Sequence, residues 1–367
     1  VVSGRTPGFA GVPEIVARPL ADLAPLLDWL RSGRPAGERL DFTAGTALPD
    51  GRLDLCKQGV GADGAELIAG ALAAGPSPVR HLLLGTDALG DDGAVAVAGA
   101  GADVETLYLG CNGITAAGAC RIADQLRASP QVVTGVWLKR NPLGGAGGHA
   151  AAELLESARS LRTLDLVQTG LDPAGTAVLA DALLAAELGG RRIERLFDVY
   201  KRQLYVSAAR LGDAGALRLA AALERAPHGR LARLSVASNG IGPRAAVRLV
   251  TAAAAAGVSL LDLGRVRAAA VLAADDNHID LPAADAIGRD LARAEHRLSH
   301  LVLAHTGMRS REAHRLLDHA ADARTATRYR LGTGIATSIK HRLAALSAHV
   351  PALPVPPDVA AVRSVHR

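Results

Sequence analysis

Several groups of residues in this sequence have the types and spacing that chemistry requires. Gly59-Val60-Gly61-Ala62-Asp63-Gly64 has the glycine spacing that lets a backbone approach a dinucleotide pyrophosphate between a strand and a helix. Asp91-Asp92 and Asp275-Asp276 are paired carboxylates, the material of general acid and base catalysis. His278, His296, His300, His305, His314 and His319 crowd the last third of the chain, where imidazoles could ligate zinc. Cys56, Cys111 and Cys120 could each supply a thiolate.

Each group lacks the partners its chemistry needs. Both aspartate pairs precede helical segments, where acidic side chains complement a helix N-terminus. His314 and His319 are too far around a helix to share a ligand. His300 and His305 could approach each other across one turn, but no cysteine joins them. A catalytic thiol needs a base and a cationic setting. No Walker glycine-lysine motif or nucleophile elbow occurs. The expectation is no enzyme activity, no metal and no cofactor.

The elements that must position all these residues repeat. A Leu-x-Leu pair is followed by an apolar residue five positions on, a small residue four beyond that, then apolar residues four and eight later. One copy is Leu107, Leu109, Ile114, Gly118, Ile122, Leu126; another is Leu164, Leu166, Leu171, Gly175, Leu179, Leu183. The pairs stand at 53–55, 82–84, 107–109, 136–138, 164–166, 204–206, 234–236, 261–263 and 301–303, with a further copy at Tyr329–Leu331. A period near 28 residues predicts a solenoid whose units bury their apolar faces only against neighbours. The frame also accounts for the glycine motif, because Val60 takes the slot of Ile114 and Gly64 that of Gly118. Asn112, Asn141 and Asn239 stand three after the second framework residue, where an amide can bond the backbone of adjacent turns.

These residues resemble the leucine-rich repeats of the ribonuclease-inhibitor type over roughly positions 50 to 330. The resemblance implies an α/β fold: a right-handed horseshoe of about nine to ten βα repeats, parallel sheet concave, helices convex. It implies a 1–50 N-terminal cap, repeats over 51–331, and a 332–367 cap helix with a Pro-rich tail. Helical spacing in Leu23, Leu26, Leu27 and Leu30 and an irregular strand at Leu40-x-Phe42 belong to the first cap. Proteins of this type mostly bind other proteins, and a GTPase-activating regulator or an enzyme inhibitor are the alternatives it implies.

Composition agrees with thin stacked layers. The 367 residues are 49% hydrophobic but 2% aromatic, so Ala, Leu, Val and Gly do the packing. A net charge of +5 with scattered arginines predicts no nucleic-acid footprint. No run approaches a membrane span. Three cysteines form no disulfide framework and fit a reducing, cytoplasmic setting. Arginine far outnumbers lysine, as in a GC-rich bacterial genome. The chain opens Val1-Val2-Ser3, as a sequence whose native start lies upstream would, and no signal peptide is expected in it.

The frame breaks twice. Between Leu166 and Val206 about a dozen residues are surplus. They include Asp198-Val199-Tyr200-Lys201-Arg202-Gln203, which the transposase mosaic-end oligonucleotide of sequencing libraries encodes in one frame. Joining Leu196 to Tyr205 restores the repeat, so Phe197–Leu204 reads as an assembly artefact rather than an inserted loop. Recovering these codons from source DNA would sink that reading. The second break, Gly264–Ala274, carries Arg265 and Arg267 and reads as a surface insertion before Asn277 resumes the frame.

One column stands out for binding. The residues between framework positions are Asp54, Leu83, Tyr108, Trp137, Asp165, Tyr205, Ser235, Asp262, Val302 and Arg330. Alternation predicts that they all face out, about 4.8 Å apart from strand to strand. Leu83, Tyr108, Trp137, Lys139, Asp165 and Tyr205 are therefore the expected protein-binding residues, since interface anchors favour Trp and Tyr. Cross-strand stacking that stiffens the sheet is the structural alternative.

Overall fold

The structure is a computed structural model that describes residues 16–100, 103–128, 132–185, 202–267, 269 and 273–363. Of the first insertion, 197–201 lie outside the described residues, as do 268 and 270–272 of the second. The chain forms two compact units, Val1–Thr169 with Val355–Arg367, and Gly170–Pro354.

The first unit starts with helix α1 (Ala24–Arg31), which buries Leu26, Leu27 and Leu30. Its Trp29 ring lies 5.6 Å from that of Phe42. Strands β1 (Leu40–Phe42), β2 (Gly45–Ala47) and β3 (Arg52–Asp54) pair antiparallel, so the irregular first strand is one arm of a hairpin. From β3 onward all pairing is parallel, through β4 (His81–Leu83), β5 (Thr106–Tyr108), β6 (Gly135–Trp137) and β7 (Thr163–Asp165). Helices α2 (Gly61–Ala73), α3 (Gly90–Ala98), α4 (Ala116–Ala128) and α5 (Gly147–Ser157) alternate with them.

The second unit begins with α6 (Pro173–Ala185) and continues with parallel strands β8 (Arg202–Tyr205), β9 (Leu231–Ser235), β10 (Leu260–Asp262), β11 (His300–Leu303) and β12 (Arg328–Leu331). Between them run α7 (Gly212–Arg225), α8 (Pro243–Ala255), α9 (Leu281–Arg293) and α10 (Ser310–Ala320), and α11 (Thr337–Leu346) follows. This alternation of short parallel strands and helices is the leucine-rich-repeat fold that the periodicity predicts. No helix among the described residues is long and apolar enough to cross a membrane.

Register explains the periodicity. Leu53, Leu82, Leu107, Val136 and Leu164 stand opposite one another in the first unit. Leu204, Leu234, Leu261, Leu301 and Tyr329 do so in the second, and Leu204 holds its place beside a bulge between Arg202 and Gln203. Every framework residue from Leu53 to Leu303 is buried. The small slot reflects close approach of the first helical turn to its neighbours. A Cβ added at Gly147 or Gly215 would come 2.7 and 2.9 Å from the Cβ of Leu143 and Leu211.

In eight repeats the backbone turns left-handed two positions after the second framework residue. Lys57, Thr86, Cys111, Arg140, Gln168, Ala208, Ser238 and His305 have φ between 51° and 66°. The next residue then points into the stack. Asn141 Oδ1 accepts from the amides of Asn112 (2.9 Å) and Ile114 (3.1 Å), and its Nδ2 donates to the Leu109 and Leu138 carbonyls, both at 2.9 Å. Asn239 makes the same pattern, accepting from Ala209 and donating to Val206. Asn277 takes this role after the second insertion, accepting from Asn239 and Ile241 and donating to Val236 and Leu263. The insertion itself is tied down by Arg265–Asp276 at 3.3 Å and by buried Ala269.

Candidate functional site

The face of each sheet opposite the helices carries the residues not used to hold the repeats together. In the first unit, register sets Asp54, Leu83, Tyr108, Trp137 and Asp165 side by side. The expectation that this column is exposed is corrected by the structure. Asp54, Leu83, Trp137, Asp165 and, in the second unit, Ser235 are buried; Tyr108, Tyr205, Asp262 and Val302 are half-buried, and Arg330 is exposed. The framework register itself holds, since Leu138 is buried beside Trp137.

Glycines are the physical reason. A Cβ at Gly135 would lie 2.6 Å from Cη2 of Trp137, and one at Gly85 would run into Cε1 of Tyr108 and lie 3.2 Å from Cys56 Sγ. At Gly110 it would meet Cγ of Lys139 at 3.0 Å. Bare backbone at these three positions lets the large side chains lie along the sheet rather than stand away from it. Reading one column at a time misses this, because the glycines sit in the columns on either side.

Lys139 brings the aromatic and acidic members together. Its Nζ lies 4.9 Å from the Tyr108 ring centroid, a cation–π distance. Burial lowers the Lys139 ammonium, but Tyr108 and Asp165 more than offset it and hold it above its ordinary value. Burial raises Tyr108, opposed by Lys139. Asp165 is pushed up to about 6 by burial, against the Val167 amide, which donates at 2.9 Å, and the charge of Lys139. The cluster is thus a half-buried cation over a phenol ring, with a buried carboxyl group on the neighbouring strand.

Tyr205 belongs to the second unit, where its hydroxyl donates to Gln203 Oε1 at 3.0 Å. That unit's open face differs in charge. Register places Arg233, Leu260, His300 and Arg328 in one column and Ser235, Asp262, Val302 and Arg330 in the next. Burial lowers His300, and Arg328 and Arg233 lower it further. Burial raises Asp262, whose carboxylate accepts from Gly264 N at 2.8 Å and from the Ser235 hydroxyl at 3.2 Å.

The other candidates from the sequence go to separate partners. The amides of Gln58 and Gly59, which a phosphate would need, donate to Asp87 Oδ1 at 2.8 and 2.9 Å. Asp91 Oδ1 and Oδ2 accept from the amide and hydroxyl of Thr115, just before α4, each at 2.7 Å. His319 meets Asp285 and His314 meets Asp318, both at 3.0 Å. Among the described residues no three His, Cys, Asp or Glu side chains group as metal ligands would. Burial, then Asp54, pushes the Cys56 thiol far above its ordinary value, so it is held as the thiol.

No protein-family model matches the sequence, and no curated protein matches it. Solved structures do. One is the leucine-rich repeat-containing protein LegL7 from Legionella pneumophila, at 14% identity and a TM-score of 0.49, covering 82% of this chain and 91% of that one. Another comes from the Rad7–Elc1 complex of yeast, at 14% identity and a TM-score of 0.45, covering 89% of this chain and 75% of that one.

Proposed function

We propose that the chain is a non-catalytic scaffold that binds a partner protein on the open sheet face of the first unit. The observation that carries this reading is a division of labour within each repeat. Framework leucines and turn asparagines are consumed in stacking, and they recur from repeat to repeat. From β4 to β7 the open-face residues change from strand to strand: Leu83, Tyr108, Trp137 and Asp165 stand side by side, with Lys139 just past β6. Tyr108 and Lys139, both half-buried, present the phenol and the cation, while Leu83 and Trp137 stiffen the surface around them.

The test is affinity capture from the source organism, followed by titration of the identified partner with variants. Tyr108→Ala and Lys139→Ala should each weaken binding by about 30-fold, the size of a central anchor. Glu66→Ala, on the exposed side of α2, should bind as the parent does. Parent-like binding by both open-face variants would place the interface elsewhere.

A further inference from the structure

The open face of the second unit is cationic where the first is aromatic and mixed. Arg233, Arg328 and Arg330 are the cations of its two facing columns, His300 stands beside Arg328, and Asp262 is the carboxylate among them. Arg328 is committed to the fold: its Nε and Nη2 donate to the carbonyls of Ser347 and Ala348 just past α11, at 3.3 and 3.4 Å. A cation there complements the helix C-terminus. Arg233 has a different kind of partner. Its Nη2 donates to the Pro354 carbonyl, in the Pro-rich segment that follows Val350. That segment has no helix or strand over Pro351–Pro356, and its side chains are mostly exposed. Its bond to Arg233 is made through main chain.

We propose that this face is a docking site for an acidic, extended polypeptide segment, occupied in this structure by the chain's own Pro-rich stretch. The proposal shares with the functional reading above the premise that open sheet faces bind. Two observations support it. First, Arg233 makes no ion pair among the described residues and instead holds a neutral carbonyl. The guanidinium supplies one charge to that bond; a carboxylate would supply the opposite charge and accept bidentately, so an acidic segment is the stronger kind of partner for Arg233. Second, the occupant is itself an extended polypeptide, which shows that the face accepts such a chain at the right height for an arginine to reach it. A strand repeat of about 4.8 Å puts Arg330 and Arg233 within the span of a few residues of extended peptide. The polypeptide occupant is also why a peptide is favoured over a nucleic acid.

The experiment uses the full chain and fluorescein-labelled decaglutamate in low salt, read by fluorescence anisotropy. A neutral glycine-serine decapeptide and a labelled thymidine oligonucleotide run beside it. Decaglutamate should bind more tightly than both. Arg233→Glu and Arg330→Glu should each weaken it by about tenfold or more. Arg121→Glu makes the same charge change on α4, where Arg121 pairs with Asp92 at 2.7 Å, and should leave binding unchanged. The NMR resonances of Ala352 and Leu353 should shift when decaglutamate is added, because the peptide displaces their segment.

Equal loss in Arg121→Glu would reduce the effect to net charge and overturn the proposal. So would tighter binding of the oligonucleotide, or unshifted resonances at Ala352 and Leu353. These outcomes are independent of the first unit. Failure of Tyr108→Ala and Lys139→Ala to affect partner binding would refute the functional reading while leaving the decaglutamate results intact.

Discussion

Replacing Asp87 by Asn should stabilise the protein at neutral and alkaline pH and flatten its pH dependence. Asp87 occupies the turn slot that Asn112 and Asn141 hold in the next two repeats, and it is completely buried. Its Oδ1 accepts from the Gln58 and Gly59 amides, but Oδ2 has no partner. Burial raises the carboxyl from 3.8 to about 7, against the main-chain amides of Gln58, Val60 and Gly59, and Asp54 adds to the rise. The folded chain therefore keeps this proton over a range where the unfolded chain releases it. Stability is greatest below the unfolded value and falls as pH rises towards the folded one, levelling off above it. At about 1.4 kcal/mol for each pH unit, the loss is roughly 4 kcal/mol. An amide carries no such charge, and its NH2 supplies the missing donor. Asn112 shows the geometry, with Nδ2 on the Leu84 carbonyl at 2.6 Å; the acceptor offered to position 87 by the repeat frame is the Leu55 carbonyl. Urea denaturation followed by circular dichroism at pH 5 and pH 8 measures the effect. Parent stability should drop between the two, and Asp87→Asn should remove most of the drop. Asp165, raised to about 6, leaves a smaller slope of the same sign. Asp87→Ala should be destabilised at both pH values because the Gln58 and Gly59 amides lose their acceptor. An Asp87→Asn variant that keeps the parent slope, or is weaker than the parent at pH 8, would refute the reasoning.

Asn141→Ala removes four buried hydrogen bonds at once and should cost about 4 kcal/mol; Asn112→Ala, whose side chain makes two, should cost about half as much, both read from denaturant midpoints. Gly135→Val should lift the Trp137 ring off the sheet and destabilise by about 2 kcal/mol. The ring's exposure should show as a red shift of tryptophan fluorescence in a Trp29→Phe background, and an unshifted spectrum would mean that the ring does not lie over Gly135.

The repeat was legible because its causes are local and periodic. A strand of three residues between two turns has one inward pattern available, and Leu-x-Leu states it directly. The asparagine slot was legible for the same reason, since a short amide is the side chain that both accepts and donates along a stack. The left-handed turn residue was not. It falls on Lys57, Thr86, Cys111, Arg140 and Gln168 in successive repeats, with no glycine to mark it. There the bonds made by the following residue impose the conformation, so the sequence signal sits one position away from its effect. Asp87 was hidden similarly: its role follows from its slot, while its residue type suggests an ordinary surface turn.

The open face marks where column reading stops. Alternation assigns Leu83 and Trp137 to the side away from the helices, but it does not make them exposed. Exposure depends on the height of the neighbours. Glycine at 85, 110 and 135 lowers the floor, and the side chains of Tyr108, Lys139 and Trp137 fold down onto it. The result differs from an anchor awaiting a partner. A ring laid on bare backbone is already desolvated and contributes to the stability of the repeat, so truncating Trp137 should open a cavity costing about 3 kcal/mol or more before any partner is considered. That separates the two roles that the sequence merged in one column. Trp137 and Leu83 shape and stiffen the surface, whereas Tyr108 and Lys139, half-buried and coupled through a cation–π contact, are the side chains a partner could still reach.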